Sequence, residues 1–218
     1  QEDKLPALVD LAKQLKLSAN EIAYIGDDTP DLKYKGEPTK LIIGDDNVIR
    51  EGVTIHRGTV QDRGETVIGN KNLLMAYAHV GHDSVIGDNV IMVNNSSLAG
   101  HVNVGDWAIL SGYSLIHQYV SVGAHSFIGP AAFSYHDVPA FVTAFGSPAE
   151  PRTINKEGLK RRGFTTEQIA LANKAYKLLY RRGLSLEEGI EAIAELGDDI
   201  VIETLLNSLK ASTRGIIR

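Results

Sequence analysis

The sequence predicts a mainly β fold: a solenoid of short parallel strands, followed by an α-helical domain. Aliphatic side chains recur every six residues through the middle of the chain, and no helix has that period. Two helix-start signals lie beyond residue 150, where that period has ended. The expected division is a non-repeat segment at 1–28, a repeat domain at 29–150 and a helical domain at 151–218.

The six-residue period is continuous over eleven repeats. Each repeat begins with an aliphatic residue or Met: Ile68, Leu74, Val80, Ile86, Met92, Leu98, Val104, Leu110, Ile116, Val122 and Ile128. The residue four positions later is Ala, Ser or Val in ten of the eleven repeats, and Asn72 is the exception. An earlier block keeps the same step at Ile43, Ile49 and Ile55. Gln61 to Val67 shift the phase by one residue, so we expect a loop to project there.

Short strands separated by sharp corners explain this period. One aliphatic and one small side chain in each hexapeptide point inward, and three hexapeptides close one coil. Stacked coils pair in parallel, so that each coil covers the strand edge of its neighbour. The pattern resembles the left-handed parallel β-helix of hexapeptide-repeat proteins. The left hand is implied by this resemblance, because ordinary crossovers are right-handed.

The helical domain is predicted from two capping boxes. Thr165-Thr-Glu-Gln168 and Ser185-Leu-Glu-Glu188 each place a hydroxyl residue three positions before Gln or Glu. Gly183 is placed to end the first of the two helices. Helices at this position would cap the open end of a solenoid, whatever else they do.

Composition and charge exclude several classes of protein. The 218 residues contain no cysteine, which excludes disulfide scaffolds and thiolate-zinc sites and suits a reducing cytoplasm. A net charge of -5 argues against nucleic-acid binding, and no run reaches the roughly 18 apolar residues of a membrane-spanning helix. Residues 1–150 carry 10 Lys and Arg against 18 Asp and Glu, whereas residues 151–218 carry 12 against 9. The basic tail indicates either an acidic partner or an ordinary solvated surface.

All seven histidines lie between His56 and His136, within the repeats. Residues 18 apart are expected to stack on adjacent coils at roughly 4.8 Å. Asp83 should therefore lie one coil below His101, and His82 one coil below Gly100. An imidazole can take a proton from a hydroxyl, and a bare glycine N–H can stabilise an oxyanion. Acyl transfer to an alcohol needs both groups.

Two other interpretations of the histidines stay open from the residues alone. In the first, they are polar side chains on exposed corners. In the second, His79, His82 and His101 bind a metal, since some hexapeptide-repeat proteins are trimeric zinc carbonic anhydrases. The order of ligands in this chain does not clearly match theirs, so we rank metal binding below acyl transfer.

Local motifs narrow the choice. Ala78-His-Val-Gly-His-Asp83 and Asn155-Lys-Glu-Gly-Leu-Lys-Arg-Arg-Gly163 are particularly specific. Other matching segments are Asp31-Leu-Lys-Tyr-Lys-Gly-Glu-Pro38, Ile55-His-Arg-Gly-Thr59, Leu98-Ala-Gly-His101, His117-Gln118 and Ser212-Thr-Arg-Gly-Ile-Ile-Arg218. Over about residues 28–218 the chain closely resembles the acyl-[acyl-carrier-protein]–UDP-N-acetylglucosamine O-acyltransferases, which begin lipid A synthesis.

The resemblance implies transfer of a 3-hydroxyacyl group from acyl carrier protein to the glucosamine 3-hydroxyl of UDP-N-acetylglucosamine, in a homotrimer with sites between subunits. His82 matches the family's general base, Asp83 the residue beside it, and Gly100 the oxyanion position. The positions that match substrate-binding residues are His79, His101, His117, Gln118, Asp31, Lys33, Asn155, Glu157, Arg161 and Arg162. No metal or organic cofactor is required, because a base and an oxyanion donor suffice.

The resemblance also indicates where acyl length is set. In the family, positions after the segment that matches Gly123-Ala-His125 limit the acyl groove. Phe127 and Pro130 occupy those positions here, and Pro130 stands where some members have glycine. A ring fills a groove that glycine would leave open, so we expect a preference for donors of medium length.

The beginning of the chain departs from this family. The further N-terminal coils of the family's barrel are not found, and residues 1–28 have no hexapeptide phase. Residues 4–17 are predicted to form an amphipathic helix and residues 22–25 a short strand. Residues 1–31 resemble the C-terminal core of haloacid-dehalogenase-type 3-deoxy-octulosonate 8-phosphate phosphatases, without their nucleophilic Asp-x-Asp, which suggests a hybrid chain. An alternative function is therefore a catalytically impaired trimeric scaffold that binds UDP-N-acetylglucosamine without turnover.

Overall fold

The computed structural model describes the backbone of Tyr24–Gly26 and all of residues 30–218. Eighteen strands in this part of the chain form three sheets, one for each side of the coil. The predicted helix at 4–17 and the phosphatase-like segment lie outside the described residues, apart from a strand at Tyr24–Gly26.

The first sheet contains β1 (Tyr24–Gly26), β4 (Thr54–His56), β7 (His79–Val80), β10 (Ser97–Leu98), β13 (Leu115–Ile116) and β16 (Phe133–Ser134). The second contains β2 (Lys40–Ile43), β5 (Glu65–Ile68), β8 (Val85–Ile86), β11 (Asn103–Val104) and β14 (Ser121–Val122). The third contains β3 (Val48–Ile49), β6 (Leu73–Leu74), β9 (Ile91–Met92), β12 (Ile109–Leu110), β15 (Phe127–Ile128), β17 (Val142–Phe145) and β18 (Glu150–Ile154). Every pairing is parallel except that of β17 with β18.

The six-residue pattern forms the core of the solenoid. All eleven repeat anchors from Ile68 to Ile128 are at most 3% exposed. The small residues four positions later are also buried, because the inside of each corner leaves little room. Burying an aliphatic side chain of this size contributes roughly 1.5–3 kcal/mol, so the stacked anchors are the main source of stability in the coils.

Each corner is a residue in the left-handed region of backbone conformation. Asp83, His101 and Tyr119, with φ of 58°, 62° and 64°, occupy one such corner on three successive coils. This conformation is uncommon outside glycine, although Asp and His adopt it more readily than most residues. Backbone hydrogen bonds link these corners: the His101 N–H donates to the His82 carbonyl at 2.8 Å.

The coil that follows β4 is longer than the coils after it. From β5 to β16, strands of successive coils are offset by 18 residues, as in the pairing of Ser97 with His79. Thr54 pairs with His79 instead, an offset of 25 residues, so the coil that follows β4 contains seven additional residues. They are accommodated in the connection between β4 and β5, residues 57–64, which we call the inserted turn. The shift of phase predicted a loop at residues 61–67. Residues 61–64 do lie in this turn, whereas residues 65–67 belong to β5.

Four helices follow the solenoid: α1 (Lys156–Arg161), α2 (Thr166–Arg181), α3 (Leu186–Ala194) and α4 (Ile200–Lys210). Both predicted capping boxes are confirmed, with Thr165 and Gln168 at α2 and Ser185 and Glu188 at α3 exchanging their hydrogen bonds. None of these helices in residues 30–218 combines the length and the apolar character needed to cross a membrane.

The end of the chain returns to the solenoid through a buried carboxylate. Asp137 accepts hydrogen bonds from the Ser212 hydroxyl at 2.7 Å and from the Thr213 N–H at 3.0 Å. It also accepts one from the Ser121 N–H on the last complete coil at 2.6 Å. These contacts fasten the C-terminal end of the helical domain to the solenoid.

Candidate active site

The histidine predicted to be a base lies at a corner after β7, paired with the next residue in the chain. The His82 Nδ1 atom lies 2.9 Å from Asp83 Oδ2. A carboxylate on Nδ1 holds the imidazole as the Nδ1–H tautomer, which leaves a lone pair on Nε2. This tautomer is the one in which Nε2 can accept a proton from a hydroxyl.

Asp83 is 0% exposed, and Thr59 compensates for that burial. The Thr59 N–H donates to both carboxylate oxygens, at 2.9 and 3.0 Å, and the Thr59 hydroxyl donates to Oδ2 at 2.7 Å. The Asp83 N–H donates to the Thr66 hydroxyl oxygen at 2.8 Å. A buried carboxylate without such donors would cost several kcal/mol, so Thr59 keeps a charged partner available to His82.

Gly100 lies against the imidazole of His82, as the coil spacing had predicted. A Cβ atom added to Gly100 would lie 2.7 Å from both Cε1 and Nε2 of His82, which is closer than atoms can pack. None of the hydrogen bonds found among the described residues uses the Gly100 N–H. An open backbone donor therefore lies beside the atom that would act as the base, which is the arrangement of an oxyanion site.

A second histidine shares this corner. His101 is 8% exposed, and its ring packs edge-to-face against His82 with 4.9 Å between centroids. The Nδ1 atom of His101 lies 2.7 Å from Oδ2 of Asp62, and Tyr119 stacks on the ring at 4.3 Å. Each of the two neighbouring imidazoles thus has its own carboxylate.

His79 lies on β7, close to the same corner. Its Nδ1 atom is 2.7 Å from the Thr54 hydroxyl oxygen, and its ring lies 5.2 Å from that of His56. Burial lowers the pKa of His79, and the nearby His56 and His82 lower it further. His79 is therefore mainly neutral near pH 7 and able to act as a hydrogen-bonding group without adding charge.

Asn155 and Arg162 form a separate cluster at the junction with the helical domain. Asn155 Nδ2 donates to the His125 carbonyl at 2.9 Å, and its side-chain oxygen caps α1. Arg162 Nη1 lies 3.2 Å from His125 Nδ1, and its guanidinium lies 5.3 Å above the Trp107 ring. Burial and the Arg162 charge lower the pKa of His125 to about 4.

The other predicted site residues lie apart from His82. Glu157 and Arg161 are exposed on α1, and His117 lies on the outer face near Tyr135, with 5.6 Å between their rings. Gln118 and Lys33 are exposed, and the Lys33 N–H donates to Asp31 at 2.9 Å. Among residues 30–218, none of the hydrogen bonds, ion pairs or ring contacts of Glu157, Arg161, His117, Gln118 and Lys33 joins them to His82.

The two residues expected to limit acyl length lie near the end of the solenoid. The Phe127 side chain on β15 is half-buried, and its ring lies 6.0 Å from that of Phe145. Pro130 is exposed and precedes the corner at Ala131, whose φ is 53°.

Sequence reasoning missed Thr59 and Asp62. Both belong to the inserted turn, and both bind a residue of the candidate site. The only signal was the shift of phase at residues 61–67, which predicts a loop but not its contacts. Tyr119 was missed as well, although it stands 18 residues after His101 and so had to stack on it.

The side chains of this corner offer ligand atoms but leave little capacity for a metal. Single donor atoms of His82, Asp83 and His101 lie within 4.8 Å of one another, a different set from the predicted His79, His82 and His101. Asp83 already accepts hydrogen bonds from Thr59 and lies against His82 Nδ1. The donor set therefore fits an acid–base site better than a metal site.

Two family models match the chain. Residues 137–217 match the second domain of UDP N-acetylglucosamine O-acyltransferase. Residues 65–100 match the bacterial transferase hexapeptide of six repeats, which confirms the predicted repeats.

Relatives and solved structures cover most of the chain. A Pseudomonas putida (strain GB-1) protein named acyl-[acyl-carrier-protein]–UDP-N-acetylglucosamine O-acyltransferase is 60% identical over 199 residues, 91% of this chain and 77% of its own length. The UDP-N-acetylglucosamine acyltransferase structure from Francisella novicida has a TM-score of 0.87 and 45% identity, and the match covers 90% of this chain and 72% of that one. The UDP-N-acetylglucosamine O-acyltransferase structure from Moraxella catarrhalis RH4 has a TM-score of 0.88 and 44% identity, with 90% and 77% covered.

These comparisons confirm the predicted fold, a left-handed parallel β-helix followed by helices. They give no support to the phosphatase resemblance of residues 1–31 or to a hybrid chain.

Proposed function

Because the chain belongs to the family of acyl-[acyl-carrier-protein]–UDP-N-acetylglucosamine O-acyltransferases, we propose that it transfers a 3-hydroxyacyl group with His82 as general base. The acyl donor is acyl carrier protein and the acceptor is the glucosamine 3-hydroxyl of UDP-N-acetylglucosamine, in the first step of lipid A biosynthesis. The observation that carries this proposal is the pairing of His82 with Asp83 directly against Gly100.

The reaction uses this corner as follows. His82 Nε2 removes the proton of the sugar hydroxyl as its oxygen attacks the acyl carbonyl carbon. Negative charge develops on the carbonyl oxygen, where the Gly100 N–H donates a hydrogen bond. Asp83 stabilises the imidazolium, which then returns its proton to the carrier as the bond between acyl group and carrier breaks.

The direct test measures acyl transfer from 3-hydroxyacyl carrier protein to UDP-N-acetylglucosamine. We expect His82→Ala to reduce kcat by 10²-fold or more, since general-base catalysis typically contributes about 10²–10⁴-fold. His136→Ala is the matched control, because His136 is exposed and its ring binds the Arg214 carbonyl at 2.8 Å, away from this corner. An active parent enzyme with an equally active His82→Ala variant would refute the mechanism.

A homotrimer with sites between subunits would bring the separated side chains together. Tyr113 is 67% exposed and Leu115 is 45% exposed, on the same coil as His117. Clustered apolar surface of this kind favours burial against another copy of the chain. Sedimentation equilibrium measures the assembly directly, and an active monomer would contradict the proposal.

In that trimer, Asn155, Glu157, Arg161 and Arg162 are proposed to face the nucleotide and its phosphates. We further propose that Asp31 and Lys33 approach the sugar nucleotide, and that His79, His101, His117 and Gln118 line the substrate site. The exposure of Arg161 and Lys33 supports their availability to a ligand.

The carrier protein is proposed to dock on a basic surface beside α1, formed by Arg152, Lys156, Lys160, Arg161 and Arg162. The first four side chains are exposed and Arg162 is half-buried, and Arg152 also pairs with Glu150 at 3.1 Å. Association between this surface and an acidic carrier should weaken as salt rises. A KM for the carrier substrate that does not change with salt would contradict this docking.

We place the reaction in the cytoplasm, which suits a chain without cysteine.

Two alternatives are separated by simple measurements. A catalytically impaired scaffold would bind UDP-N-acetylglucosamine without turnover, so robust turnover excludes it. A zinc enzyme would contain stoichiometric zinc bound by the histidines, so elemental analysis of the active protein distinguishes it from the acyltransferase.

A further inference from the structure

The inserted turn contacts both imidazoles of the candidate site through their carboxylates. Its Thr59 binds Asp83, which stands 24 residues further along the chain, and its Asp62 binds His101, which stands 39 residues further along. One seven-residue insertion thus reaches two successive coils at the same corner. The turn is closed on itself, since the Gly64 N–H donates to the Thr59 carbonyl at 3.0 Å.

Three contacts define the orientation of the His101 ring. Asp62 Oδ2 lies 2.7 Å from Nδ1, Tyr119 is nearly parallel to the ring at 8°, and His82 meets it at 85°. Of these neighbours, Asp62 alone bonds to a ring nitrogen and therefore selects which nitrogen carries the proton. Without Asp62, stacking would keep the plane of the ring but not its tautomer.

We propose that Asp62 is a positioning residue: it holds His101 as the Nδ1–H tautomer, so that His101 Nε2 accepts a hydrogen bond from a donor group of the acceptor substrate beside His82. The His101–Asp62 pair has the same kind of contact as the His82–Asp83 pair, a carboxylate at Nδ1, but it has a different role. Asp83 is fully buried and supports a base, whereas Asp62 is partly exposed and orients a binding group. The activity part of this inference rests on the proposed acyl transfer.

The substrate group that fits this acceptor is a hydroxyl or an amide N–H. A neutral imidazole nitrogen with a lone pair accepts a hydrogen bond and repels carbonyl and phosphate oxygens. A donor held at His101, with 4.9 Å between the His101 and His82 rings, aligns the hydroxyl that loses its proton to His82.

The test compares Asp62→Ala and Asp62→Asn with Gln61→Ala in the complete chain. Gln61 is exposed in the same turn and makes none of the side-chain contacts found for the site, so its variant controls for disturbance of the turn. Asparagine retains an oxygen that accepts the Nδ1–H, whereas alanine does not. We expect Asp62→Ala to reduce kcat/KM for the sugar nucleotide about tenfold, with Asp62→Asn recovering most of it.

The tautomer of His101 is read independently from the ¹⁵N shifts of its ring, assigned with His101→Gln. We expect the Nδ1–H form in the parent and in Asp62→Asn, and a mixture of tautomers in Asp62→Ala. An unchanged tautomer in Asp62→Ala overturns the inference, as does a changed tautomer with kcat/KM equal to that of Gln61→Ala. If the parent has no acyl-transfer activity, the proposed function is wrong. The ¹⁵N shifts of the His101 ring would still decide whether Asp62 positions His101.

Discussion

The imidazole of His82 occupies the space that a side chain on Gly100 would need. A Cβ at Gly100 would lie 2.7 Å from His82 Nε2, and real Cβ atoms do not approach other atoms so closely. Position 100 therefore needs glycine to make room for His82 of the neighbouring coil, in addition to the proposed role of its N–H as a hydrogen-bond donor.

The substitution Gly100→Ala should displace His82 while leaving the solenoid folded. We expect kcat to fall by about 10²-fold, the loss typical of misplacing a reacting group or removing one oxyanion donor. Gly112→Ala is the matched control: it has the same position in its hexapeptide, but its Cβ would make only ordinary contacts at 3.4 Å and beyond. Equal activity of the two variants would show that His82 tolerates the added methyl group.

Removing the Thr59 hydroxyl should weaken the support of Asp83. We expect Thr59→Val to lower kcat about tenfold and the free energy of unfolding by about 1–3 kcal/mol, because a buried carboxylate loses a donor. Thr59→Ser keeps the hydroxyl, so this variant should retain most of the kcat and most of the free energy of unfolding of the parent. Thr39→Val is the control, since the buried Thr39 hydroxyl has no hydrogen-bond partner to lose. Activity and urea unfolding of the four proteins check this, and identical losses at Thr39 and Thr59 would contradict it.

Stability should fall on acidification because His125 is held neutral. Its pKa is lowered from 6.5 to about 4, so between these pH values the unfolded chain binds a proton that the folded chain does not. His125 therefore makes its full contribution to the free energy of unfolding above about pH 6.5, and this contribution declines as the pH falls towards 4. His79 contributes in the same direction, and solvent screening makes the His125 contribution smaller than that of a fully buried ring.

The variant His125→Gln keeps an acceptor for Arg162 but has no such titration. Urea unfolding between pH 4 and 7 should therefore show a shallower decline than the parent. His136→Gln replaces an exposed histidine and should keep the slope of the parent. The same slope in all three proteins would remove His125 as a source of the pH dependence.

Acyl length is the fourth prediction. We expect medium-length 3-hydroxyacyl donors to be preferred over the longest ones, and Pro130→Gly to shift the preference towards longer chains. Each buried methylene contributes roughly 0.8 kcal/mol, so two carbons correspond to about 1.6 kcal/mol, or roughly 15-fold in kcat/KM. Pro130 is exposed in the single chain, so it can limit acyl length only if the acyl groove passes over it. Donors of increasing length check this, and an unchanged profile in Pro130→Gly would exclude Pro130 as the limit.

The six-residue period by itself determined the solenoid and much of the site. Coils of three hexapeptides place residues 18 apart on top of each other, so the sequence could predict that His82 meets Gly100 and that Asp83 stacks below His101. The capping boxes at Thr165 and Ser185 could also be predicted from the sequence, because each depends on contacts between residues only three positions apart.

Only the tertiary structure decided the surroundings of these residues. Thr59 and Asp62 stand where the period breaks, and without a repeat there is no spacing rule to say where an insertion folds. The path of the inserted turn depends on its packing against the corner at Asp83 and His101, and the contact of Arg162 with His125 likewise depends on how the helical domain docks. A local pattern specifies the distance between stacked neighbours, whereas contacts across an insertion or between domains depend on the packing of the whole chain.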